Sequence, residues 1–326
     1  MKLPRRNFLH LAAGVAALPT ISRVACAQAY PSRPVRLIVG APPGGGFDIV
    51  ARLMGQWLSE RLGQSFVIEN RPGASSNIAT EAVVRAAADG YTLLLVTAAN
   101  AINTTLYEKL SFNFIRDITP VAGITRVPDV MVANLSVLSR TVFEFIAYPK
   151  ANPGKLTMAS GGVGTPSHLE GERFKTMTGV DTLLVPYRGV APALTDLLGG
   201  QVQVTFTSMP SVIEYLRAGR LRALAVTTAP RSDALPDIPT MDSFLPGYEG
   251  GIWYGLGAPK ATPAEIINKL NKEVNAALDD PKMKARLADL GGTPLPGSPA
   301  ELGKLIAEET EKWGKVIRAA NIKPQG

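Results

Sequence analysis

Cysteine and histidine are nearly absent. Cys26 is the single cysteine of the 326 residues, and His10 and His168 are the two histidines. Cys26 and His10 fall in the first 29 residues, which read as a removable leader for the reasons given below. Without them the chain has no thiol and one imidazole. That excludes thiol catalysis, disulfide stapling, haem attachment through cysteines and any Cys-built zinc site. Charge is sparse as well, at 19% of residues. The first 29 residues hold Lys2, Arg5, Arg6 and Arg23 and no acid, so the formal +7 of the whole chain falls to +3 beyond them, with 30 basic against 27 acidic side chains. Spread over the length of about two domains, that is no electrostatic footprint, and a nucleic-acid binder is not expected. No apolar run approaches the roughly 20 residues a membrane-spanning helix needs. Hydrophobic residues still make up 46%, enough for a real core rather than a disordered chain.

The amino terminus has the three parts of an export signal. A charged start, Arg5-Arg6, precedes an apolar stretch from Phe8 to Leu18, and small residues end at Ala27-Gln28-Ala29. The alternative is an amphipathic first helix of the fold. The pair Arg5-Arg6 with Phe8-Leu9 resembles a twin-arginine signal, with Pro4 and His10 as departures, and Arg23 disfavours the general secretory route. Residues 1–29 are therefore expected to be cleaved after Ala29, without lipid on Cys26, to leave a periplasmic protein beginning at Tyr30.

The remaining chain alternates strand and helix signals. Val35–Val39, Phe66–Ile68 and Thr92–Val96 are short apolar runs that suit buried parallel strands. Helical patterns follow them, from Asp48 to Leu62 with Ile49, Leu53, Trp57 and Leu62 near one face, and from an Asn77 cap to Ala88. Further strands are predicted at Leu156–Ala159, Leu183–Val185, Val202–Phe206 and Ala223–Val226, with helices at Pro166–Thr178, Ala191–Leu198 and Pro210–Ala218. Thr141 with Glu144, Thr262 with Glu265 and Ser298 with Glu301 have capping-box spacing, and Pro281 can start a helix. Residues 230–251 read as loop. The expected fold is α/β, two doubly wound lobes with a cleft between them: 30–125 plus 250–326 in one, 126–249 in the other, with crossings near Thr125 and Gly251.

Two glycine-rich turns carry the chemistry. Gly44-Gly45-Gly46-Phe47-Asp48 and Ser160-Gly161-Gly162-Val163-Gly164-Thr165-Pro166-Ser167-His168 each join a predicted strand to a predicted helix start. Free backbone N–H groups and the positive end of the helix dipole make such turns anion sites, and glycine lets a ligand approach the backbone. A bland reading stays open for either turn, in which the glycines only shape a tight connection. Neither is a Walker loop or a Gly-x-Gly-x-x-Gly dinucleotide motif. His168 invites a catalytic reading with Ser160, but no Gly-x-Ser-x-Gly elbow is present. It is read as holding its loop by hydrogen bonds. Asp48 is read as capping its helix and fixing its turn, with a metal role second.

Together these residues resemble the receptors of tripartite tricarboxylate transporters, the Bug-type periplasmic solute receptors. The resemblance rests on Pro42-Pro43-Gly44-Gly45-Gly46 with Asp48, Glu69-Asn70-Arg71-Pro72-Gly73-Ala74, Asp89-Gly90-Tyr91-Thr92-Leu93, Ser160-Gly161 with Gly164 and His168-Leu169, Val185-Pro186-Tyr187-Arg188-Gly189, Asp196-Leu197-Leu198-Gly199-Gly200 and Leu235-Pro236-Asp237-Ile238-Pro239-Thr240, in that order. It implies a type II periplasmic binding fold, a Venus flytrap, with no catalysis, no metal and no cofactor. It also implies a small organic carboxylate held between the two turns and delivered to the membrane permease subunits of such a transporter. Gly44, Gly45, Phe47, Asp48, Ser160, Gly164, Thr165, His168 and Thr207 are the implied ligand-binding residues, and a monomer is expected. Family members often have a small hydroxyl residue in place of Phe47 and an acid in place of Thr207. Both departures argue against a tricarboxylate such as citrate and permit an aromatic or longer-chain carboxylate. Two alternatives remain: a ligand sensor of the same fold signalling to a membrane kinase, and a periplasmic α/β hydrolase or transferase using Ser160 or His168.

Overall fold

The computed structural model describes residues 30–107, 109–151, 156–319 and 322–324. The predicted export signal lies outside the described residues. Strands are β1 (Val35–Val39), β2 (Phe66–Asn70), β3 (Thr92–Thr97), β4 (Ile118–Val127), β5 (Asp129–Ala133), β6 (Thr157–Ser160), β7 (Leu183–Pro186), β8 (Val204–Ser208), β9 (Arg222–Val226), β10 (Ile252–Pro259) and β11 (Thr293–Pro294). Helices are α1 (Gly46–Leu62), α2 (Asn77–Val84), α3 (Ala98–Leu106), α4 (Phe114–Asp117), α5 (Val142–Ala151), α6 (Pro166–Thr178), α7 (Val190–Leu198), α8 (Met209–Arg217), α9 (Ala264–Asp279), α10 (Pro281–Asp289) and α11 (Pro299–Ala319).

The strands form two mixed sheets, each the centre of a lobe. The first has the order β11-β4-β10-β3-β1-β2 and the second β7-β6-β8-β5-β9. Each has a parallel trio: β1 between β2 and β3 in the first, β6 between β7 and β8 in the second. Next to each trio lies one antiparallel strand, β10 or β5, and beyond it β4 or β9. The chain leaves the first sheet from β4 through Pro128 into β5, and returns from β9 into β10. These two crossings lie side by side. Asp129 N donates to Thr227 Oγ1 at 3.1 Å, and Thr227 N donates to Asp129 O at 2.9 Å.

Burial explains the strand choice. In β1 the residues Val35, Leu37, Ile38 and Val39 are fully buried, as a central parallel strand covered on both faces requires. On α1 the deepest stripe is Val50, Met54 and Leu58, one position on from the expected face. Leu53 and Trp57 are half-buried because α9 covers that flank, and Trp57 Nε1 donates to the Glu273 carbonyl at 3.1 Å.

Three local expectations are corrected. Asn77 is the first residue inside α2, not its cap, because Ala74, Ser75 and Ser76 before it all have positive φ (45°, 51° and 74°) and cannot present a normal cap. That helix ends at Val84 rather than Ala88. Thr262 does not cap α9; its hydroxyl turns back to the Pro259 carbonyl at 2.8 Å. The capping box at Ser298 and Glu301 is present, with Glu301 N on Ser298 Oγ at 3.2 Å and Ser298 N on Glu301 Oε2 at 2.6 Å.

Candidate functional site

Both glycine-rich turns emerge where a parallel strand gives way to a helix, and they face one cavity of about 660 Å³ between the sheets. That is within the usual size of a small-molecule site. The wall includes Gly45, Gly46 and Phe47 from the first turn and Gly161, Gly162, Val163 and Thr165 from the second. A second cavity, about 370 Å³, lies behind the crossings against Arg126, Pro128, Gly251 and Lys312 and touches neither turn.

The first turn is fixed by Asp48. Its Oδ2 accepts from Gly44 N at 3.0 Å and from Arg52 Nε at 2.8 Å, and its Oδ1 accepts from Asn70 Nδ2 at 3.0 Å. Burial pushes this carboxyl upward, but the hydrogen bonds from Arg52, Gly44 and Asn70 outweigh it and hold it below the usual range. Gly46 N donates across the cleft to Ser211 Oγ at 2.7 Å. The second turn is fixed by its own hydroxyls. Gly161 N donates to Ser167 Oγ at 2.9 Å, Thr165 Oγ1 donates to the Gly162 carbonyl at 2.6 Å, and the two side-chain oxygens are 2.9 Å apart. With these bonds made, the amides of Gly45, Gly162 and Val163 on the cavity wall have no acceptor among the described residues.

Of the nine candidate residues, Gly45, Phe47, Thr165 and Thr207 lie on the cavity wall. Phe47 packs edge-on against Tyr254 with ring centroids 5.6 Å apart, and Thr207 Oγ1 is buried with no hydrogen-bond partner among the described residues. The other five stand behind the wall. Gly44 and Asp48 form the brace just described. Gly164, at φ +79°, lies against the other lobe, where a Cβ would be 2.5 Å from Leu106 Cδ2. Ser160 Oγ and His168 Nδ1 are buried and neither has a hydrogen-bond partner among the described residues, so they do not bond to each other as a nucleophile–base pair. His168 is held neutral because burial lowers its pKa, with Glu172 opposing and Lys175 adding to the shift.

Three parts of the wall escaped sequence reasoning. One is the segment Pro72–Ser76, where Gly73 and three non-glycine residues in succession have positive φ. Such strain collects at binding sites when the surroundings enforce it. Here Asn103 Nδ2 holds the Ser75 carbonyl at 2.6 Å and Ser76 Oγ donates to the Gly40 carbonyl at 3.1 Å. The second is Pro186–Val190, in which Gly189 at φ +120° abuts Pro42 of the other lobe. The third is Asp129 at the floor. The only sequence signal was Pro72-Gly73 and Arg188-Gly189, turn dipeptides at strand ends.

This architecture can now be set beside known proteins. The family model described as "Tripartite tricarboxylate transporter family receptor" matches residues 50–322. The chain belongs to the tripartite tricarboxylate transporter receptor family. Protein BugT of Bordetella pertussis (strain Tohama I) is 37% identical over 300 residues, covering 91% of this chain and 92% of that one. The structure titled "R. palustris Rpa4515 with adipate" superposes with a TM-score of 0.88 at 40% identity, over 91% of this chain and 100% of the other. MatC (Rpa3494) from Rhodopseudomonas palustris with bound malate gives a TM-score of 0.83 at 34% identity, over 88% and 100%. As a member of this receptor family the chain is a solute-binding protein with the two-lobe α/β fold.

Proposed function

We propose that this receptor works in the periplasm, captures a small organic carboxylate between its two glycine-rich turns, and hands it to the membrane permease of a tripartite tricarboxylate transporter. The observation that carries the reading is a single cavity walled by both turns, with unpaired amides of Gly45, Gly162 and Val163 on it. Amides in that position bind carboxylate oxygens without a counter-ion. Two relatives, Rpa4515 with adipate and MatC with bound malate, support the ligand class. The surface of the wall is mostly apolar, and the Phe47 ring favours a longer-chain or aromatic carboxylate over a compact tricarboxylate.

The lobe division at 30–125 plus 250–326 and 126–249 belongs to the same proposal. It is supported by the sheets: strands of the first lie in the former segments, with β4 ending at Val127, and strands of the second lie in the latter. The crossings at Pro128 and at Gly250-Gly251 would then be the hinge. A thermal-shift screen over mono-, di- and aromatic carboxylates tests the capture. A ligand at 100 times its Kd should add about 2.7 kcal/mol of stability. A screen in which no carboxylate raises Tm, while some uncharged or cationic solute does, overturns the reading.

A further inference from the structure

The floor of the cavity holds an arrangement that carboxylate capture does not explain. Asp129 begins β5 at the first crossing, and Glu170 lies in the second turn of α6, the helix that grows from the second glycine-rich turn. Asp129 is 0% exposed and Glu170 1%. The two carboxyls are neighbours close enough to act on each other. Glu170 Oε1 accepts from Gly251 N at 3.2 Å at the second crossing. Among the described residues, no N–H or O–H outside the pair reaches Glu170 Oε2 or either Asp129 oxygen.

No cation among the described residues neutralises the pair. Arg173 of α6 acts on Glu170 only at a distance, because its guanidinium is bonded to the carbonyls of Gly247 and Glu249 and lies over the Tyr248 ring. Tyr248 itself donates to the Glu170 carbonyl, and Tyr254 of β10 faces Asp129; burial keeps both phenols neutral. Two carboxylates buried together without a counter-ion cannot both ionise. One shared proton is the least the packing demands. Burial pushes Asp129 up to about 7, against the lowering effect of the Glu170 hydrogen bond. Glu170 is pushed well above the usual range by burial and then by the Asp129 charge.

Asp129 also lines the ligand cavity, near the unpartnered hydroxyl of Thr207. It is the one acid among the lining residues, and Arg188, exposed at the mouth, is the one base. An ionised Asp129 would repel a carboxylate entering this closed space, whereas a neutral one offers it an O–H donor. We propose that Asp129 and Glu170 form a proton-sharing pair that couples ligand capture to the uptake of one proton from solvent, with Asp129 as the positioning donor to the ligand's inner carboxylate. The proposal rests on carboxylate capture in this cavity.

The test is calorimetry on the full mature protein with adipate, or with the tightest carboxylate of the thermal-shift screen if adipate does not bind. Titrations run between about pH 6.5 and 8.5, where a simple carboxylate is already ionised in solution, in two buffers of different ionisation enthalpy. The expected result is affinity falling toward about tenfold per pH unit above neutrality, with a buffer-dependent heat that reports uptake of one proton. Asp129→Asn keeps a donor but no titrating proton, so the slope and the buffer dependence should vanish. Should that variant fail to fold, the wild-type titrations decide alone. Binding that is flat with pH and independent of buffer overturns the acid pair and leaves carboxylate capture standing. Proton release on binding also overturns it, since it would mean that a cationic group meets an ionised Asp129. No binding by any carboxylate removes capture, and the pair's role with it.

Discussion

In the first glycine-rich turn an ionised carboxylate, Asp48, takes the Gly44 amide at 3.0 Å; in the second a neutral hydroxyl, Ser167 Oγ, takes the Gly161 amide at 2.9 Å. Both anchors come from the first turn of the following helix, and each takes one amide of its turn while the amides of Gly45, Gly162 and Val163 on the wall have no acceptor among the described residues. The difference follows from what stands behind each turn. Asp48 has Arg52 on its solvent side and Asn70 beside it, so its charge is compensated and stays off the wall. Ser167 is buried with no cation bonded to it among the described residues, and a carboxylate there would be an unpaired negative charge beside the proposed ligand site. On the proposed reading both turns keep net negative charge away from the anion, and the exception at the floor is Asp129, which shares a proton with Glu170.

The largest effect should come from breaking the contact between the lobes at Gly189 and Pro42, just ahead of the first turn. Gly189 has φ +120°, and a Cβ there would be 2.3 Å from Pro42 Cγ and 2.5 Å from Pro42 Cδ, in a ring that cannot rotate away. Gly189→Val adds backbone strain to that collision. A cost of about 3 kcal/mol to the closed arrangement corresponds to roughly a hundredfold loss of affinity, which calorimetry with a bound carboxylate would read. Unchanged affinity would mean that Pro42 and Gly189 separate in the bound form.

The next two substitutions test charge against hydroxyl directly. Asp48→Ala removes a charged acceptor from three donors and should cost about 2–3 kcal/mol in urea unfolding, while Ser167→Ala removes a neutral one and should cost about 1 kcal/mol. The two should also differ in pH response. The Asp48 carboxyl is held below its unfolded value, so its contribution is complete above about pH 4 and lost as pH falls through the folded value. The Asp48→Ala deficit should therefore shrink in acid and the Ser167→Ala deficit should not. Equal costs at pH 7, or parallel pH profiles, would erase the distinction between the turns.

The turns were legible because they are local. Proline at the first helical position and Gly179 at φ +66° bound α6 where the sequence placed it, and apolar runs marked β1 and β3. β4 and β10 were not legible. They contain Pro120, Gly123, Gly255 and Gly257, which look like breakers in sequence but serve tight packing: a Cβ on Gly123 would be 2.5 Å from the Leu295 carbonyl oxygen, and one on Gly255 2.9 Å from that of Ala122. The strained wall at Ala74–Ser76 gives no composition mark, since ordinary residues occupy it. Asp129 and Glu170 are ordinary acids in sequence, and only the second lobe's fold puts them in contact with no cation.

His168→Gln should have the smallest effect of the set. His168 sits in the first turn of α6, one residue after the Ser167 anchor, yet its Nδ1 has no hydrogen-bond partner among the described residues and it does not line the cavity. The hydrogen bonds that hold the turn belong to Ser167 and Thr165. A glutamine of similar length should keep most of the packing and cost less than about 1 kcal/mol at pH 7. The pH profile carries the sharper test. Burial holds the imidazole below its unfolded value, so the unfolded chain binds the extra proton first, and wild-type stability falls as pH drops below about 6.5. His168→Gln should remove that decline while leaving carboxylate affinity within a few-fold of wild type. A loss of binding as large as that of Gly189→Val would place His168 in the site, and turnover of the ligand by wild type that disappears in the variant would turn a binding cleft into an active one.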